Sequence, residues 1–123
     1  MYNILVKSMA TTLVAFTLSA AFPASAHHQF LLQTYPSARS HASEVRSVKL
    51  IFEGKADALF STVELKQADG SVVARVTQPK ASREMVMVTS TLSAGTYLVE
   101  YRVLTTDGDI VKGSFRFTVD DQI

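Results

Sequence analysis

Cysteine is absent from this 123-residue chain. The protein therefore forms no disulfide, and a folded domain must rely on its hydrophobic core for stability. The length is enough for a single domain. A domain of this size buries roughly two-thirds of the surface that its unfolded chain exposes, so a core alone is sufficient. We find no internal repeat and no low-complexity tract that would indicate a second unit.

A strong charge of either sign is also lacking, since the chain carries 12 basic and 11 acidic residues. Lys7 is the only charged residue among the first 26, so the remainder is balanced. Proteins that bind nucleic acid normally show a basic patch or stripe. The composition therefore argues against a nucleic-acid partner.

Catalytic signals are missing as well. Serine, histidine and aspartate do not occur in an arrangement that suggests a triad, and without cysteine no side chain stands out as a nucleophile. We therefore predict that the protein is not an enzyme.

The first 26 residues have the features of a secretory signal peptide. A short segment with one basic residue precedes the apolar run Met9–Phe22, and small residues occupy positions −3 and −1 of a cut after Ala26. We predict a signal peptide at 1–26 and an exported mature domain at 27–123. The alternative is an uncleaved anchor, but a spanning helix needs about 20 apolar residues. No later segment is long and apolar enough to cross a membrane.

Alternating apolar residues and regularly spaced turns predict about seven short strands, and no segment has convincing helical periodicity. This pattern is typical of an all-β, immunoglobulin-like Greek-key sandwich. The predicted strands are Gln29–Thr34, Val45–Glu53, Thr62–Gln67, Ser71–Thr77, Glu84–Ser90 and the two halves of a long hairpin within Gly95–Val119.

The hairpin turns at Asp107-Gly108-Asp109, because glycine accepts a positive φ without strain. In an antiparallel sandwich successive connections alternate between the two ends. His27, the Glu53–Asp57 loop and the acidic hairpin tip should therefore gather at one end. His41 should lie at the other end, roughly 20–30 Å away.

His27 becomes the first residue of the mature chain and is followed by His28. An N-terminal histidine offers an amine and an imidazole that chelate one metal ion. The amine has a pKa of about 7.7–8.0, so a metal displaces its proton at modest cost. Nitrogen ligands supplemented by carboxylate oxygen suit Cu(II). The alternative is a pair of exposed histidines without a role at a frayed terminus.

Several segments resemble the CopC-type periplasmic copper-binding family, and the resemblance covers essentially the whole mature chain. They are Ala26-His27, Tyr35-Pro36, Val48–Phe52, Phe60-Ser61 and the long block from Leu92 to Val119. The resemblance implies a small exported sandwich for copper homeostasis and resistance, which delivers copper to or from an inner-membrane copper transporter. It also implies a Cu(II) site made by the N-terminal histidine together with an Asp and a His from an Asp-x-His tip.

His27 and Asp107 match two of the family ligands, whereas Asp109 occupies the place of the tip histidine. The family's Phe-Ser-Glu motif reads Phe52-Glu53-Gly54 here, so its Glu is displaced. We predict that His27, Asp107 and Asp109 bind the metal, with His28 and Glu53 as weaker candidates. The alternative is a non-metal interaction module with a degenerate site.

Cu(I) binding is a separate question, since some family members carry a Met-rich segment. Met85 and Met87, spaced i, i+2 on one strand, are the only methionines of the mature chain, and His41 is a further candidate. Thioether sulfur suits Cu(I), but methionine is more often core filler.

Overall fold

The structure is a computed structural model that describes residues 30–121. This part of the chain forms eight strands and contains no helix that could span a bilayer. The strands are β1 (Leu31–Tyr35), β2 (His41–Ala42), β3 (Ser47–Ala56), β4 (Thr62–Gln67), β5 (Val72–Val76), β6 (Ser82–Val88), β7 (Gly95–Leu104) and β8 (Ile110–Val119).

Two sheets share one core. Strands β1, β3 and β6 form a three-stranded antiparallel sheet in the order β1-β3-β6. The other five form a sheet in the order β2-β8-β7-β4-β5, in which only the β2–β8 pairing is parallel. Alternate residues of both sheets are buried between them, as the period-2 pattern requires. The predicted all-β, immunoglobulin-like sandwich is therefore confirmed. Its most buried side chains include Val48, Leu50, Phe52, Val63, Leu65, Val99, Val103 and Phe117.

Two strand predictions were wrong. The short strand β2 lies in a segment that we predicted as loop, and it has no apolar alternation because it is only two residues long. Backbone bonds to the end of β8 hold it in place, including Thr118 N–H to Ser40 O at 2.9 Å. Strand β3 also continues past Glu53 to Ala56, with an irregular register after Ile51. The loop that we predicted at Glu53–Asp57 therefore begins only at Asp57.

Met85 and Met87 fill the core. They point inward from β6 and are 1% and 2% exposed, so neither sulfur is open to solvent. Polarizable, unbranched methionine commonly fills irregular space between packed elements. Within the described range these residues are structural.

Candidate metal centre

The start of β1 and two connections, the one after β3 and the one between β7 and β8, lie at one end of the sandwich. The Phe30 carbonyl, just before β1, accepts a hydrogen bond from the Glu53 N–H at 2.7 Å. Ala56 forms a β-bridge to Thr105, where β7 leads into the hairpin turn. The start of β1, the end of β3 and the hairpin tip therefore share this end, as the alternation of connections predicted.

His41 lies at the opposite end. It pairs with Thr118 near the end of β8, and its Nδ1 is 2.8 Å from Asp120 Oδ1. His27 and His28 lie outside the described residues, so their position remains a prediction. Glu53 is an exposed residue of β3 rather than of a loop.

The hairpin tip, residues 105–109, is closed by its own backbone and one hydroxyl. Thr105 N–H donates to Asp109 O at 2.8 Å, and Gly108 N–H donates to Thr105 O at 3.0 Å. Gly108 adopts a φ of 92°, a conformation that only glycine takes without strain. The Asp109 N–H donates to Thr105 Oγ1 at 3.1 Å. The turn is thus held without any use of its two carboxylates.

A second Asp-Gly turn, residues 67–71, joins β4 to β5 at the far end and has the same backbone bonds. Gln67 N–H donates to Ser71 O, and Gly70 N–H donates to Gln67 O, both at 2.9 Å. Here, however, the Asp69 carboxylate accepts from the Ser71 hydroxyl at 2.6 Å and from the Ser71 N–H at 2.9 Å. These bonds hold the pKa of Asp69 below its ordinary value.

The two turns therefore differ in what their carboxylates do. The Asp69 carboxylate accepts hydrogen bonds within its own turn. In contrast, Asp107 and Asp109 are exposed, and their side chains make no hydrogen bond or ion pair with the described residues. Thr105, whose hydroxyl accepts a hydrogen bond that closes the tip turn, was not identified from the sequence. Its position four residues before Asp109 was the available signal.

The described residues contain no group of three or more His, Asp or Glu side chains that could hold a metal ion. Two carboxylates alone supply only hard oxygen ligands, which suit Mg²⁺, Ca²⁺ or Mn²⁺ as well as they suit copper. A selective Cu(II) site at this end therefore requires nitrogen ligands from residues that precede Phe30.

An aromatic cluster fixes the point at which the chain enters β1. The rings of Phe30 and Phe52 stack with centroids 5.3 Å apart, and Tyr101 packs against Phe52 at 5.9 Å. Gly113, the cross-strand partner of Tyr101, makes room for this phenol, because a Cβ at 113 would overlap it. Burial raises the pKa of the Tyr101 hydroxyl. Phe30, the first described residue after His27 and His28, is therefore anchored beside the hairpin.

Comparison with known proteins supports the assignment of the fold. The family model described as the CopC domain matches residues 31–120. The crystal structure of CopC from Methylosinus trichosporium OB3b is 33% identical, with a TM-score of 0.68 over 76% of this chain and 97% of that one. PcoC, a methionine-rich copper resistance protein from Escherichia coli, is 29% identical, with a TM-score of 0.65 over 73% of this chain and 96% of that one.

No curated protein sequence matches the chain. The domain match nevertheless spans most of its length, and the structures of CopC and PcoC agree with it in fold and in extent. The chain belongs to the CopC domain family.

Proposed function

We propose that this protein is a periplasmic Cu(II) carrier or buffer that acts in copper homeostasis and resistance without turnover. The proposed ligands are the His27 amine and imidazole together with Asp107 and Asp109. One observation carries the proposal: the tip carboxylates make no hydrogen bond or ion pair with any residue from 30 to 121, and they lie at the end of the sandwich where the chain enters β1.

Chain length supports a meeting of these groups. His27 lies three positions before Phe30, and an extended chain spans at most about 3.6 Å per residue, or ~11 Å over this distance. The histidine is thus tethered to the end that bears the tip turn. His28 and Glu53 are weaker candidate ligands.

The family supports the wider setting. PcoC is described as a copper resistance protein. Together with the predicted signal peptide at 1–26, this favours export of the 27–123 domain and exchange of copper with an inner-membrane transporter. The competing proposal, a non-metal interaction module, is favoured by Asp109 in the place of the family's tip histidine.

Replacing Asp107 by Asn is expected to weaken Cu(II) binding by roughly tenfold or more, because substitutions near a metal commonly cost 10–100-fold in affinity. Asn keeps the size of the side chain but removes the anionic oxygen. The matched control is Asp69→Asn, in the equivalent turn at the far end, which should leave Cu(II) affinity unchanged. A competition titration of the protein beginning at His27 measures both. Equal affinities for Asp107→Asn and the parent protein would favour the interaction module.

Asp109→His is expected to tighten Cu(II) binding by about tenfold, because imidazole suits copper better than carboxylate does. The turn should tolerate the change, since Asp109 contributes only backbone groups to it. Electron paramagnetic resonance should then report one more nitrogen ligand. Unchanged affinity and an unchanged spectrum would mean that the tip does not meet the N-terminal histidine.

A further inference from the structure

The outer face of the five-stranded sheet carries rows of side chains that follow from the cross-strand register. Arg102 on β7 lies directly opposite Lys112 on β8. The neighbouring residues Tyr101 and Val103 point to the core, so both cations point outward, and both are exposed. Two like charges therefore occupy directly opposite positions on neighbouring strands, an arrangement that destabilises a sheet.

Two other cations on this face, Lys66 and Arg75, lie close to carboxylates. Lys66 Nζ lies 2.9 Å from Glu100 Oε2 and 4.0 Å from Glu64 Oε2. Arg75 Nε lies 3.8 Å from Glu64 Oε1. The hydrogen bond to Glu100 raises the pKa of Lys66, with burial acting in the opposite direction. The cations on β4 and β5 are thus each close to a carboxylate on a neighbouring strand.

Arg102 and Lys112 have no such balance. Neither side chain makes an ion pair or hydrogen bond with any residue between 30 and 121. The two nearest carboxylates on the face are Glu64 and Glu100, and both are committed to Lys66 or Arg75. The pair is therefore a local excess of positive charge on a chain whose total charge is close to zero.

The two cations border a shallow depression of about 590 Å³. Its lining also includes the Thr62 and Ser114 side chains, whose hydroxyls make no hydrogen bond within the described range. Glu64, Glu100 and Arg75 complete its polar wall. Arginine presents a planar fork of donors, lysine a compact charge, and a hydroxyl one further donor, which together match a carboxylate or phosphate group.

The geometry points to an oxyanion-binding site formed by Arg102 and Lys112, with Ser114 as an additional donor. Its ligand is a carboxylate or phosphate group, either free in solution or on a lipid headgroup. The site uses none of the proposed copper ligands and does not depend on copper binding. A bound oxyanion would replace the repulsion between the two cations with attraction to a shared partner.

Inorganic phosphate is the first probe, with sodium chloride at the same ionic strength as reference. Two-dimensional NMR should show saturable shifts of the Arg102 side chain and the Lys112 and Ser114 amides with phosphate only. Lys112→Glu should weaken phosphate binding at least tenfold. It should not lower the melting temperature, because it places a carboxylate opposite Arg102. Lys80→Glu makes the same change of charge at an exposed position outside the depression and should leave phosphate binding intact.

Vesicles of phosphatidylcholine with and without phosphatidylglycerol separate the two sources of the anion. Saturation by phosphate without binding to either vesicle assigns the site to a soluble oxyanion. Selective binding to the phosphatidylglycerol vesicles, lost in Lys112→Glu and kept in Lys80→Glu, assigns it to a lipid headgroup. Shifts that do not saturate together with no vesicle binding, or equal losses in the two variants, would overturn the proposal.

Discussion

Protein with one extra alanine before His27 is expected to bind Cu(II) at least about 100-fold more weakly than protein that begins at His27. Even outer-shell partners of a metal cost 10–100-fold when they are changed, and the extension removes a ligand itself. The amine of the added residue cannot close the same ring with the His27 imidazole. The terminal amine–imidazole chelate is therefore lost, while the fold is untouched.

The measurement is a competition titration of both forms against a chelator of known affinity, after mass spectrometry has confirmed each first residue. Unfolding curves of the metal-free forms serve as control and should coincide, because the aromatic anchor begins at Phe30. Equal Cu(II) affinities would exclude the terminal chelate and leave the interaction module as the better account. The oxyanion site would be unaffected by that outcome.

Phe52→Ala is expected to lower the free energy of unfolding by about 3–5 kcal/mol. The ring is 0% exposed and contacts aromatic rings on both sides, Phe30 and Tyr101. Its removal leaves a cavity that the packed sheets only partly close. Since domains are typically stable by 5–15 kcal/mol, this loss is a large share of the total.

Phe60→Ala is the matched control, because it removes the same ring from a position that is 60% exposed. Its effect should stay within about 0.5 kcal/mol, as is usual at surface sites. Urea unfolding followed by circular dichroism measures both variants. A similar loss in the two would contradict the assignment of Phe52 as the central side chain of this end of the core.

The sandwich was largely predictable because its strands bury one face. Val48, Leu50 and Phe52 alternate with solvent-facing residues, and this period is visible without any structure. Strand β2 was not predictable, because a two-residue parallel strand is defined by its backbone bonds to β8 rather than by its side chains. The extension of β3 to Ala56 escaped prediction for a similar reason. The bridge to Thr105, far along the chain, holds that segment in an extended conformation.

The two Asp-Gly turns were predictable from the sequence, but the hydrogen bonding of their carboxylates was not. The letters Asp-Gly predict a turn at both 69–70 and 107–108, and both turns form. Which carboxylate stays available depends on Ser71 at one turn and Thr105 at the other. The two turns differ in their side-chain hydrogen bonds, which become visible only in the structure. The opposition of Arg102 and Lys112 likewise follows only once the tip turn has fixed the register of the hairpin.

The tip turn keeps its shape without its two aspartate side chains. Because Thr105 and main-chain groups hold the bend, the turn does not depend on which side chains stand at positions 107 and 109. Their side chains can be exchanged between oxygen and nitrogen donors while the scaffold stays the same. If the proposed function holds, an aspartate in the place of the family's tip histidine changes the metal preference without changing the turn.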